Sequence, residues 1–170
     1  MKYKVLLNEN KNMYPFIIKI RSALLVYLTH KMALPLLKII RKPVVFPYSY
    51  EDLQSFPNDT LGKDLYFFLW HKKLDLLPYY AKHDVKHILL GYDTTDDGEV
   101  CLQCFMLGNG HLSFPVLATV CYGFVTMPEH WALFKKAWQR GRRANDIRKW
   151  EWVSILPLFT HDLKNKIDRL

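Results

Sequence analysis

Apolar residues recur along most of the chain at helical spacing, with little alternation, and the breaks between apolar runs fall at Pro, Gly, Asn and Asp. Tyr14 to about Ile40 is rich in Ile, Leu and Val and is punctuated by Lys19, Arg21, Lys31 and Lys38. Pro35 predicts a kink or division within it, and Pro43 and Pro47 predict a linker. Asn58, Asp59 and Thr60 all suit an N-cap, so Leu61 to Lys73 reads as a helix turning Leu65, Phe68, Leu69 and Leu61 inward. His71 near its end is accounted for by the helix dipole. Pro78 suits the first turn of a following helix, which packs through Tyr80, Ile88 and Leu89 and ends at Gly91 in a left-handed cap.

Tyr92 to Asp97 reads as a turn, and a second helix runs from Asp97 to Leu107, stopping at Gly108 or Gly110. Leu112 to Val125 is apolar with weak alternation, which favours a helix in an all-helical core over a strand. Thr126 is the expected cap, and Pro128 the expected start, of a helix passing Trp131, Phe134 and Trp138 to about Arg143. The two tryptophans share a face, as a packed stripe or as one wall of an apolar tunnel. Thr160 caps a last short helix through Arg169, with His161 and Asp162 in its first turn and no ligand role for either. There is no internal repeat.

Composition narrows this picture. A chain of 170 residues that is 50% hydrophobic can bury a substantial core without disulfides, which argues against disorder. The net charge of +8 is unevenly placed: residues 1–50 carry nine Lys or Arg against Glu9 alone, and residues 130–170 carry ten against four acids. Basic ends suit solubility, an anionic membrane surface or nucleic acid; without a recognisable module, nucleic acid is the weakest of these. No run approaches the ~20 apolar residues needed to cross a bilayer, so a membrane contact would be peripheral. The segment 14–40, ending in Arg41 and Lys42, could lie in a lipid interface or pack on a core. Three cysteines and no secretory apolar core point to a reducing, cytoplasmic setting, either free or peripheral on the inner membrane face. Cys101 and Cys104 have CxxC spacing but no second pair, and read as small core residues.

The chemistry gathers between Pro78 and Gly108. His83 and His87 are four apart and stack on one helical face, Asp84 lies one residue around from His83, and the Gly91–Gly98 turn can bring Glu99 back to them. Two imidazoles and two carboxylates form a borderline donor set suited to zinc first, with iron or manganese as alternatives. The competing reading needs no metal: such histidine pairs are common on helices, and Asp96 with Glu99 fits a capping box.

The series His83-Asp84-Val85-Lys86-His87, then eleven residues, then Glu99 resembles the HDxxH, eleven, E signature of the coenzyme Q biosynthesis protein 4 family. Asp59-Thr60-Leu61-Gly62 is similar to that family's Thr-Leu-Gly stretch, and Gly141-Arg142-Arg143-Ala144 with Trp150-Glu151 resembles its tail segment. The likeness spans roughly residues 56–170. It departs at Lys86, where an aromatic or aliphatic residue is expected, and in the acidic loop of Asp93, Asp96 and Asp97.

The resemblance implies an all-α, single-domain helical bundle with an apolar cavity beside a metal site. The chain's own charge and proline pattern divides it into a basic, apolar N-terminal segment and linker over residues 1–48 and a metal-binding helical core over 49–170, together one domain. The metal ligands would be His83, Asp84, His87 and Glu99, with Asp84 alternatively a general base or a partner of the ligands; from their charge, Arg142 or Arg143 is the candidate to orient a substrate carboxylate. The implied activity is oxidative decarboxylation and hydroxylation at ring carbon C1 of a prenylated quinone precursor. Membrane, other quinone-biosynthesis enzymes and a second copy of the chain are the expected partners. Two alternatives accompany it: a non-catalytic lipid-binding organiser with a structural metal, and an HD-type phosphohydrolase that would need His71 and Asp97.

Overall fold

The computed structural model describes residues 46–77 and 80–168, together with five positions between 16 and 23, which are helical. The chain divides into units of residues 1–42 and 43–170, and the second holds the helices that build the site. Most of the expected 14–40 helix, and Pro78, lie outside the described residues.

The described elements are helical. They are α1 (Tyr50–Ser55), α2 (Leu61–Lys72), α3 (Ala81–Leu90), α4 (Asp96–Gly108), α5 (Phe114–Thr126), a 3-10 turn (Pro128–His130), α6 (Trp131–Arg143) and α7 (Thr160–Asp168). Among the described residues the one β-type pairing is an isolated bridge between Thr60 and Phe159. The chain is thus all-α.

Local chemistry explains the boundaries. Thr60 caps α2 through its hydroxyl, and the tail supplies acceptors for two further N–H groups of that first turn: Leu61 donates to the Leu158 carbonyl at 2.9 Å and Gly62 to that of Leu156 at 2.8 Å. α3 ends at Gly91, whose φ of +70° suits a residue without Cβ. Thr95 caps α4 by accepting from Gly98. α1 was not foreseen; its signature is a capping box in which Ser49 and Asp52 bond each other's backbone N–H.

Two expectations about boundaries fail. Thr126 does not cap α6, because it is the last residue of α5 and its hydroxyl donates to the Tyr122 carbonyl at 2.7 Å. Pro128 opens the short 3-10 turn, and α6 begins at Trp131. Phe68 is half-buried; Leu61, Leu65 and Leu69 form the inward stripe of α2.

One cluster joins α2 and α3 to the α4 face bearing Leu102, Phe105 and Met106, and a second joins Val100, Cys101 and Cys104 to α5 and α6. α4 runs between them. It meets α6 at near backbone contact, where a Cβ on Gly141 would lie 2.1 Å from the Phe105 carbonyl oxygen and one on Gly108 would lie 2.2 Å from that of Trp138. Buried Asn109 then fastens the end of α4, donating to the carbonyls of Gly141 (3.2 Å) and Asn145 (2.9 Å) and accepting from the Ile147 N–H (3.1 Å). The helix that carries Glu99 is therefore fixed along its length.

Candidate metal centre

His83 and His87 project from one face of α3, and Glu99 meets them from the first turn of α4. His83 Nε2 lies 3.0 Å from Glu99 Oε2, His87 Nε2 lies 3.0 Å from Glu99 Oε1, and the two Nε2 atoms are 3.0 Å apart. His87 is fully enclosed, with Phe68 stacked on its ring, while the His83 and Glu99 side chains keep 28% and 27% of their surface. The trio is thus anchored at the back and open on one side.

The capping-box role for Glu99 is not what the fold uses. Thr95 supplies the cap, and the Glu99 carboxylate points at the imidazoles. Gly98 makes that approach possible, since a Cβ there would fall 2.1 Å from the Asp93 carbonyl oxygen.

The donor set is short of positive charge. His87 Nδ1 is 2.9 Å from the Tyr92 carbonyl, an acceptor only, so Nδ1 carries a hydrogen and donates it. In the neutral ring Nε2 is then a lone pair facing the Glu99 carboxylate and the second imidazole. Acceptors opposing one another at 3.0 Å require a cation between them, either a proton or a metal ion. A divalent metal fits the residues present, and two imidazoles with one carboxylate leave coordination positions free. His83, His87 and Glu99 are the ligand group found among the described residues.

Asp84 is outside that group but close to it. Its carboxyl is buried, which pushes its pKa up, while both imidazoles pull it down. His71 is exposed at the end of α2 against Trp70 and belongs to no ligand group among the described residues. Cys101 and Cys104 are buried, and burial drives their thiols up to about 11 and about 12, as expected of core residues. Arg142 and Arg143 are exposed, and the Arg142 guanidinium lies over the Trp138 ring at 5.0 Å. The Arg142 backbone meets α4 at Gly108, nine residues and about 13 Å along the helix from Glu99.

The arginine built into the centre's support is Arg140, which sequence reasoning placed only within a cationic cluster. Nε and Nη2 grip the Asp168 carboxylate at 2.9 and 2.8 Å, Nη1 donates to the Leu90 carbonyl, and the guanidinium lies over the Tyr92 ring at 5.5 Å. It thereby holds the Leu90–Tyr92 loop whose carbonyl orients His87. A sequence gives little sign of this, because the partners are 28 and 50 residues away.

An apolar groove of about 410 Å³ opens between α4, α5 and α6, lined by Cys104, Val120, Phe124, Trp131 and Trp138, with Lys135 at its edge. Both tryptophans face it, as the tunnel-wall reading expects. Cys104 lies five residues from Glu99 and about 140° around α4, so groove and trio occupy different faces of one helix, and this groove is not the expected apolar cavity beside the metal site.

Electrostatics of the trio give a pH signature. Burial pushes Glu99 up, but hydrogen bonds and charge from His83 and His87 outweigh it and hold the carboxyl at about 2. Burial pushes His87 down, but Glu99 and the Tyr92 carbonyl leave it raised. The depressed Glu99 stabilises the fold above its unfolded pKa of about 4.3 and loses that contribution as pH falls toward about 2. The raised His87 stabilises fully below about 6.5 and loses its contribution as pH rises through its folded value. Metal-free protein is therefore expected to show its largest contribution from the trio between about pH 4.5 and 6.5. Added metal, which needs imidazole lone pairs, should stabilise increasingly above that window. Melting temperature against pH, with and without zinc, checks both limbs.

No family model and no curated protein matches the sequence. Solved structures do match the fold. One is the crystal structure of a "Putative ubiquinone biosynthesis protein" from Nostoc punctiforme PCC 73102, with a TM-score of 0.60 and 16% identity over 89% of this chain and 81% of that one. At that identity the two share a fold. Among the described residues no helix is long and apolar enough to cross a membrane.

Proposed function

We propose that this chain is a metal-dependent enzyme of ubiquinone-type lipid biosynthesis, which oxidatively removes the ring carboxyl group of a prenylated precursor and leaves a hydroxyl at C1. The observation that carries the reading is the meeting of His83, His87 and Glu99 with one open side, in a fold shared with a protein described by a ubiquinone-biosynthesis name. The HDxxH, eleven, E spacing of the same residues, similar to the family signature, agrees with it.

In balanced form the aromatic acid, O2, two protons and two electrons from an external reductant give the phenol, CO2 and water. A bound zinc, iron or manganese ion supplies Lewis acidity, and a redox-active one also supplies electron transfer. The chain's own residues do the rest. His87, fixed by Tyr92, and Glu99, fixed by Gly98, hold their donor atoms toward the open side. Asp84, with its pKa raised by burial beside the imidazoles, can hold a proton at its carboxyl or join the ligands. The apolar groove lies on the other face of α4 from the trio, so an isoprenoid tail held there would have to pass around that helix from the ring.

The test is incubation of metal-loaded protein with a prenylated 4-hydroxybenzoate-type acid, a reductant and 18O2. The expected product is a phenol carrying one labelled oxygen, and its formation should cease in His83→Ala. Tight lipid retention without turnover would instead assign the organiser role, and phosphate release from nucleotides the HD-type one.

A further inference from the structure

The face of α5 turned away from α4 is apolar and open. α5 contains no charged residue; Val116, Val120 and Gly123 face inward, whereas Phe114, Leu117, Cys121, Phe124 and Val125 face solvent, with Phe114 at 71% and Val125 at 81% exposure. These outward positions follow an i, i+3, i+7, i+10, i+11 series, so they form one continuous stripe. A surface helix normally makes that side polar, and a patch of this kind marks an interaction surface.

The surrounding charge says what covers it. Between Phe114 and Arg143 the exposed cations are Lys135, Lys136, Arg142 and Arg143, Arg140 being paired with Asp168, and the one acid in that span is Glu129. Lys135 stands at the edge of the groove beside Phe124 and Trp131, and Lys136 is exposed next to it. A second copy of this chain would bring cations against cations. An anionic lipid surface offers apolar depth and negative headgroups together. Trp131 is half exposed, with its ring N–H bound to the Phe124 carbonyl at 2.8 Å, and places an amphipathic ring at the border between stripe and lysines, where bilayer interfaces favour tryptophan.

We propose that the α5 face is the docking surface of this protein on an anionic bilayer, with Phe114, Leu117 and Val125 entering the acyl boundary and Lys135 and Lys136 meeting the headgroups. This is separate from the metal-centre reading and stands or falls without it. The apolar groove opens beside the docked face, so an amphiphile could pass from bilayer to groove without crossing water.

Cys121 provides the probe. It is exposed on the stripe, whereas Cys101 and Cys104 are buried and their thiols are raised, so an environment-sensitive maleimide dye labels the full chain at one position. With vesicles of about 30% phosphatidylglycerol in phosphatidylcholine, the dye should shift to the blue and escape quenching by iodide. Leu117→Gln with Val125→Gln, both at solvent-facing sites, should weaken partitioning by about tenfold or more without altering the melting temperature. Lys135→Gln and Lys136→Gln should each cost roughly fivefold, and pure phosphatidylcholine should bind weakly. The proposal is overturned if the protein sediments with vesicles while the dye stays in water, since another segment then makes the contact. Dye shielding without lipid, at the mass of a dimer, overturns it in favour of a second copy.

Discussion

Replacing His87 with alanine should abolish stoichiometric metal binding while leaving the helical content of the chain intact. Tetrahedral zinc sites with four protein ligands bind with an apparent ~10–16 kcal/mol, or about 3 kcal/mol per ligand, so loss of one imidazole corresponds to roughly a hundredfold or more in affinity. His87 should show the full effect because it is enclosed and its ring is oriented by the Tyr92 carbonyl, so no water-filled detour exists for a substitute ligand. Glu99→Gln is the companion variant. It preserves shape but removes the charge that the imidazoles face at 3.0 Å, and should lose metal comparably. Elemental analysis after dialysis, competition with a chromophoric chelator and circular dichroism decide the matter. Wild-type metal content in both variants would remove the trio from consideration as a metal centre.

The second large effect concerns the fold. Gly141→Ala places a Cβ 2.1 Å from the Phe105 carbonyl oxygen and 3.1 Å from the Asn109 nitrogen, and neither is a flexible side chain that could swing away. α4 and α6 must separate, which costs about 2–3 kcal/mol and roughly 5–10 °C in melting temperature for a chain of this length. Gly91→Ala separates this contact from simple backbone strain. A Cβ there meets nothing within 4 Å, and only the φ of +70° opposes it, for about 1 kcal/mol. A larger loss at Gly91 than at Gly141 would mean that the close α4–α6 approach does not govern stability.

What the sequence made legible was short-range. The i, i+4 placement of His83 and His87, the stop at Gly91 and the return at Gly98 each depend on a few neighbouring residues, so Glu99 could be brought to the imidazoles on paper. Ambiguity remained where one residue had two local uses. Glu99 could cap or coordinate, and the choice turned on Thr95 taking the cap. Thr126 could start one helix or finish another, and its hydroxyl joined the preceding turn. The α1 capping box, Ser49 with Asp52, was there to be read but lay next to a proline-marked linker. Arg142 and Arg143 stand out in the sequence through charge alone, whereas the arginine that supports the centre is Arg140, whose role depends on its side chain reaching from α6 to Leu90 at the end of α3 and Asp168 at the end of α7.

That Arg140 clamp ties the Leu90–Tyr92 loop behind His87 to the far end of α7. Asp168 holds the guanidinium, the guanidinium holds Leu90, and two residues later the Tyr92 carbonyl sets the hydrogen on His87. Disturbance of the last helical turn, by clipping or by a bulky fusion, is therefore transmitted to the imidazole. Purification handles belong elsewhere on this molecule if its affinity for metal is to be measured faithfully.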